Sequence, residues 1–148
     1  MPAPAPAAID VAALASQLRL GVTRLARKLR REGTTGVTPT QLSALATLEH
    51  HGRMTAGVLA AHEQVRKPTV TRLIAGLSDA GLITRTADPL DGRVAWVAVT
   101  PVGKRLLQRH RRLSNEYLAA RMRGLDAADL ATLERAVVIL ERLTEGDG

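Results

Sequence analysis

The chain has 148 residues, is 45% apolar, carries a formal net charge of +7 and contains no cysteine. That length fits one ordinary domain, or one domain with an oligomerisation element, and the missing cysteine excludes disulfide and thiolate chemistry. With no Phe, one Trp and one Tyr, the core must be aliphatic, which suits packed helices more than a β-sandwich.

Residues 1–8, MPAPAPAA, lack the basic and apolar regions of a signal peptide and read as a disordered Pro/Ala tail. Residues 9–31 then place Val11, Leu14, Leu18, Val22, Leu25 and Leu29 three and four apart, one apolar helical stripe. Arg19, Arg24, Arg27, Lys28, Arg30 and Arg31 crowd its polar surface and C-terminal end, and Gly33 and Gly36 close the segment. In VTPTQL, Thr38 is an N-cap, Pro39 suits the first helical position and Gln41 completes a capping box. A helix over 39–51 follows, with Leu42, Leu45 and Leu48 inside. Thr55 caps a short helix to His62 that buries Val58 and Leu59. EQVRKP makes a turn, and Pro68 opens a helix over 67–80 with Val70, Leu73, Ile74 and Leu77 inward and Gly81 as its cap.

Residues 82–86 and 94–99 read as two strands joined by a turn at Asp88-Pro89 and Asp91-Gly92. Thr100-Pro101 repeat the cap-plus-proline start, and a long helix to Arg123 carries Val102, Leu106, Leu113 and Tyr117 on one stripe. Gly124 breaks it, and Asp126 caps a last helix bearing Leu130, Leu133, Val137 and Leu140. No run approaches the length of a membrane span.

The order is four helices, a hairpin and two helices. The expected fold is mainly α with a small β-hairpin wing, a winged helix-turn-helix over residues 37–100. The narrow leucine stripes of 9–36 and 101–148 call for a partner, most simply the same helices of a second copy, so these segments form a helical dimerisation region. Charge agrees with a nucleic-acid partner: residues 64–112 hold ten Lys/Arg against three Asp/Glu.

RKPTVTRLIAGLSDAGLITRTADPLDGR, residues 66–93, resembles the MarR family of bacterial transcription regulators. Lys67, Pro68, Thr69, Gly81, Leu82, Arg85, Asp88, Pro89, Asp91 and Arg93 fill the family's pattern, and Val99-Thr100-Pro101-Val102-Gly103 supplies the motif after the wing. Arg66 stands where a small cap residue is usual, and Gly76 where a larger polar one is. The resemblance implies a cytoplasmic, nucleoid-associated homodimeric regulator of double-stranded DNA, most often a repressor. It also implies release by a small aromatic or anionic effector, bound where the dimer helices meet the winged module.

Thr69, Thr71 and Arg72 lie on the outward side of the recognition helix. Arg72 can donate two hydrogen bonds to guanine O6 and N7, and each Thr can touch a phosphate or a thymine methyl. Arg66 and Lys67 at the helix start would meet phosphates, and Pro68 and Arg85 complete the expected DNA-binding residues. Arg93 at the wing tip suits the negative A·T minor groove, with Asp91 as its brace. A winged helix that binds only protein is the alternative, though it leaves this basic clustering unexplained. No enzyme motif is present: Ser16, Ser43, Ser78 and Ser114 lack a nucleophile elbow, and there is no phosphate-cradling glycine loop. His50, His51, His62 and His110 lack metal-ligand spacing, so neither a metal nor a cofactor is expected.

Overall fold

The computed structural model describes residues 8–33 and 36–145; all but Ala8 of the expected disordered tail at 1–8 lies outside the described residues. Helix α1 (Val11–Glu32) begins where the Asp10 carboxylate accepts the Ala13 N–H at 3.1 Å. Helix α2 (Pro39–His51) opens on a reciprocal capping box. The Thr38 hydroxyl accepts the Gln41 N–H, and the Gln41 side chain accepts the Thr38 N–H. Ala44, Leu45 and Leu48 are buried on α2, while Leu42 stands at the core edge.

Strand β1 (Met54–Thr55) was not legible in the sequence, because two residues are too few to show alternation. Thr55 both ends β1 and caps α3 (Ala56–Glu63). Leu59 is fully buried there, but Val58, expected inside, is 47% exposed. One residue step turns a helix by about 100°, so so short a helix commits one of two adjacent apolar residues to the core. Gln64 then takes a left-handed backbone at φ 53°, and the Val65 N–H bonds back to the Ala60 carbonyl, which turns the chain into α4 (Lys67–Asp79).

Strands β2 (Ile83–Ala87) and β3 (Ala95–Val99) form the wing, paired from Ile83↔Val99 to Ala87↔Ala95. Because β1 pairs with the other edge of β3, the hairpin is part of a three-stranded antiparallel sheet of order β1-β3-β2. Helix α5 (Pro101–Met122) leads away from it, and α6 (Ala127–Thr144) starts at an Asp126 cap. One aliphatic core unites Leu45, Leu48, Leu59, Val70, Leu77, Val97 and Leu107.

On α5 the buried positions are Gly103, Leu107 and Ser114 rather than the expected stripe, and Val102 is 48% exposed. Leu106 of the expected stripe packs at the core edge and Leu113 and Tyr117 are half-buried, whereas the most buried face mixes Leu107 with the small Gly103 and Ser114, which apolar counting does not register. The Ser114 hydroxyl donates to the Leu29 carbonyl at 3.0 Å, and His110 Nδ1 lies 2.7 Å from the Gly33 carbonyl. A carbonyl only accepts, so Nδ1 carries the hydrogen. These two bonds seat the C-terminal end of α1 on α5.

The tightest junction joins recognition helix, wing and α5. Gly81, at φ 72°, follows the helix cap Ala80, and the Leu82 N–H bonds to the Leu77 carbonyl, closing a Schellman turn. The Thr100 hydroxyl donates to the Gly81 carbonyl at 2.7 Å, its N–H donates to the Leu82 carbonyl, and it accepts the Gly103 N–H. A Cβ at Gly103 would overlap the Leu82 carbonyl oxygen. At Gly76 a Cβ would come only to 3.1 Å from the terminal amide of Gln41. Gly103→Ala should therefore destabilise the fold by about 1–3 kcal/mol, lowering the melting temperature by several degrees in thermal denaturation. Gly76→Ala should be near neutral, since about 1 kcal/mol of helix propensity offsets the adjustment of Gln41.

Candidate nucleic-acid interface

Alternation along α4 separates two chemistries. Val70, Leu73, Ile74 and Leu77 lock one face into the core. Arg66, Lys67, Pro68, Thr69, Thr71 and Arg72 are all exposed on the other side and at the helix start. No side chain caps the helix, and Pro68 has no N–H to satisfy. The departure at Arg66 thus exchanges a capping oxygen for a cation beside a helix N-terminus that itself favours anions. Thr71 spends its hydroxyl hydrogen on the Lys67 carbonyl at 2.8 Å, which leaves that hydroxyl no hydrogen to donate to a phosphate.

Arg85 is exposed on β2 although it pairs with buried Val97. Arg93 stands at the wing tip with its side chain 93% exposed. The Asp91 carboxylate accepts both the Arg93 N–H and its Nε–H at 3.1 Å, bracing backbone and guanidinium together. At this exposure solvent screens the ion pair and it adds little to stability; its effect is to orient the side chain.

Asp88 does more than a turn residue must. Its Oδ1 accepts the Leu90 and Asp91 N–H groups, and its Oδ2 accepts the Trp96 indole N–H at 2.8 Å. Asp88 is held below its ordinary value of 3.8 chiefly by the Trp96 bond, and Asp91 below the same value chiefly by Arg93. A depressed carboxylate contributes its stabilisation above the unfolded value, so both contacts persist through neutral pH and fade only as pH falls through the lowered folded values.

Sequence reasoning identified no residues for an effector site. The structure contains a cavity of about 560 Å³ where α1, α2 and α5 converge, lined by Arg27, Arg30, Arg31, His110, Val37 and Leu42 among others. No carboxylate stands among the described residues lining it. The signal in the sequence was the run of cations ending α1, which resembled dipole complementation alone. The fold also gathers the rings of His50, His51 and His62, with neighbouring centroids 4.7 and 4.6 Å apart. Among the described residues, no group of three or more His, Cys, Asp or Glu side chains could hold a metal ion. Nor is any helix among them long and apolar enough to cross a membrane.

The geometry agrees with comparisons to known proteins. The MarR family pattern matches residues 37–95. The uncharacterized HTH-type transcriptional regulator Mb0904 of Mycobacterium bovis is 42% identical, the match covering 90% of this chain and 94% of that protein. A crystal structure from Pseudomonas aeruginosa PA01 superposes with a TM-score of 0.82 at 35% identity, covering 90% of this chain and 95% of that one. A Staphylococcus aureus MepR variant bound to an oligodeoxyribonucleotide shares the fold, with a TM-score of 0.69 at 21% identity over 88% of this chain and 98% of that one. Winged module, recognition-helix motif and 42% identity over nearly the whole chain agree: the chain belongs to the MarR family, whose winged helix-turn-helix it folds into.

Proposed function

We propose that the chain is a homodimeric, sequence-specific DNA-binding repressor acting at the nucleoid, released by a small anionic ligand. The observation that carries DNA binding is the division of α4: an aliphatic face fixed in the core holds an exposed face of Arg66, Lys67, Thr69 and Arg72, beside a wing that projects Arg93. A rigid helix with that outer face suits the major groove, where Arg72 reads guanine, Thr71 offers its methyl to thymine, and Arg66, Lys67 and Thr69 meet phosphates. Arg85 adds a backbone contact from the wing, and Arg93 enters the minor groove.

Dimerisation by residues 9–36 and 101–148 follows from what α1 and α6 leave uncovered. Neither helix buries a residue within the chain, and Leu14, Leu18, Leu130 and Leu133 are 36–51% exposed. Two such stripes at helical spacing match the same stripes of a second copy. The dimer would place two recognition helices on half-sites about 34 Å apart, and occupancy of a promoter would block transcription.

The cavity at the α1–α2–α5 junction supports the ligand step. Its guanidinium groups and His110 suit an aromatic carboxylate, and its walls belong both to the dimer helices and to the winged module. A ligand that binds one separation of the recognition helices better than another shifts the population away from DNA.

Arg72→Ala should cost about 1–3 kcal/mol of operator affinity and relax specificity at one base pair, read by selection from a random duplex pool at stated salt. Arg93→Ala should weaken binding and erase preference for A·T flanks without changing the dimer; unchanged affinity at physiological salt rejects the wing role. If six or more phosphates are contacted, affinity should fall roughly a thousandfold between 50 and 200 mM salt, and a flat response rejects DNA binding. Arg30→Gln should weaken calorimetric binding of an aromatic carboxylate while operator affinity without ligand stays the same.

A further inference from the structure

Trp96 is the chain's single tryptophan, and it stands on β3 beside Thr86 of β2 and Thr55 of β1. Its neighbour Val97 is buried in the core, so the pleat turns the indole to the opposite face of the sheet. There it is fixed on two sides. Its N–H donates to Asp88 Oδ2 at 2.8 Å, and the Arg53 guanidinium lies 4.7 Å from its ring centroid, within cation–π range. Asp88 also feels the Arg53 charge. The other Asp88 oxygen holds the Leu90 and Asp91 N–H groups, and the Asp88 N–H donates to the Val94 carbonyl at 2.8 Å. A continuous path therefore runs from the start of β1, through an aromatic ring and one carboxylate, to the residues flanking Arg93.

Nothing apolar performs that task. Leu90 at the tip is 97% exposed, and two-stranded ribbons are marginal by themselves in water. We propose that Arg53, Trp96 and Asp88 are positioning residues for the wing, holding its tip in the orientation from which Arg93 enters the minor groove. This inference rests on reading Arg93 as a minor-groove contact. Its physical basis is preorganisation: a tip ordered before DNA arrives loses less conformational freedom on binding. Asp91 aims the guanidinium relative to the tip, whereas the Arg53–Trp96–Asp88 path aims the tip relative to the body. The two devices meet at the Asp91 backbone N–H, which Asp88 accepts.

A double-mutant cycle on the full-length protein tests this, with operator affinity measured on A·T-flanked and G·C-flanked duplexes. Trp96→Phe keeps an aromatic face for Arg53 but removes the indole N–H and part of the ring; Asp88→Asn keeps an acceptor for the tip amides and removes the oxygen that receives the indole. Each should lower affinity for the A·T-flanked duplex roughly five- to tenfold in the native background and less than about twofold once Arg93 is Ala, because residues joined in one hydrogen-bond network are non-additive. Arg53→Lys, which retains a cation for the ring, should rescue most of the loss seen in Arg53→Ala. Trp96 emission should shift in Asp88→Asn before DNA is added, while the melting temperature changes little. If Arg93→Ala leaves binding unchanged, the minor-groove reading fails and this proposal fails with it. If Arg93→Ala weakens binding but Trp96→Phe does not, or if Trp96→Phe costs the same in both backgrounds, the positioning role alone is overturned.

Discussion

The Thr100 junction is the constraint on which the arrangement depends. One hydroxyl bonds the Gly81 carbonyl and the Gly103 N–H, and the same residue's amide bonds the Leu82 carbonyl. Within a few residues this ties the end of α4, the base of the wing and the start of α5. The orientation of α4 relative to α5 is therefore held by short hydrogen bonds at this junction as well as by the aliphatic core that Leu77 and Leu107 share. Gly81 is needed for its left-handed turn and Gly103 for its lack of a side chain against a carbonyl. In the proposed dimer, such a junction would pass a movement of α5 to α4 with little slack.

The two ends of the molecule solve different problems. In the winged module, an aliphatic core of buried leucines and valines holds α2, α3, α4 and the sheet together. At the wing tip no core reaches, and charged or aromatic contacts among Asp88, Trp96, Arg53, Asp91 and Arg93 take its place. Such contacts add little to stability in solvent, but they confine orientation. Along α1 and α6 the apolar stripes remain uncovered within one chain, as fits helices that find their core in a second copy.

Between these regions lies the α1–α5 seam, held by Ser114 and His110. His110 serves both the seam and the cavity wall, as does Gly33, where a side chain would strike His110 and Ser114. An occupant of the cavity would thus press on the contacts that seat α1 on α5. That proximity links the proposed ligand step to geometry rather than to analogy alone.

Local chemistry made much of the fold legible from residues alone. The capping box at Thr38, the threonine-proline starts at 38 and 100, the Asp126 cap, the inner face of α4 and the wing turn all depend on neighbours within four positions, where residue type nearly dictates conformation. The motif from Lys67 to Arg93 identified the module because its spacing mirrors a continuous structural unit. What only the tertiary structure decided depends on partners far along the chain. Two-residue β1 exists only because β3 offers an edge. Val58 faces outward because Leu59 already fills the core, and α5 buries Leu107 in that core while Gly103 and Ser114 lie where close approach leaves room only for small side chains. The Arg53–Trp96–Asp88 path joins residues up to 43 positions apart, and the basic cavity joins α1 to α5; no local pattern announces either, because long-range contacts are set by how the elements pack.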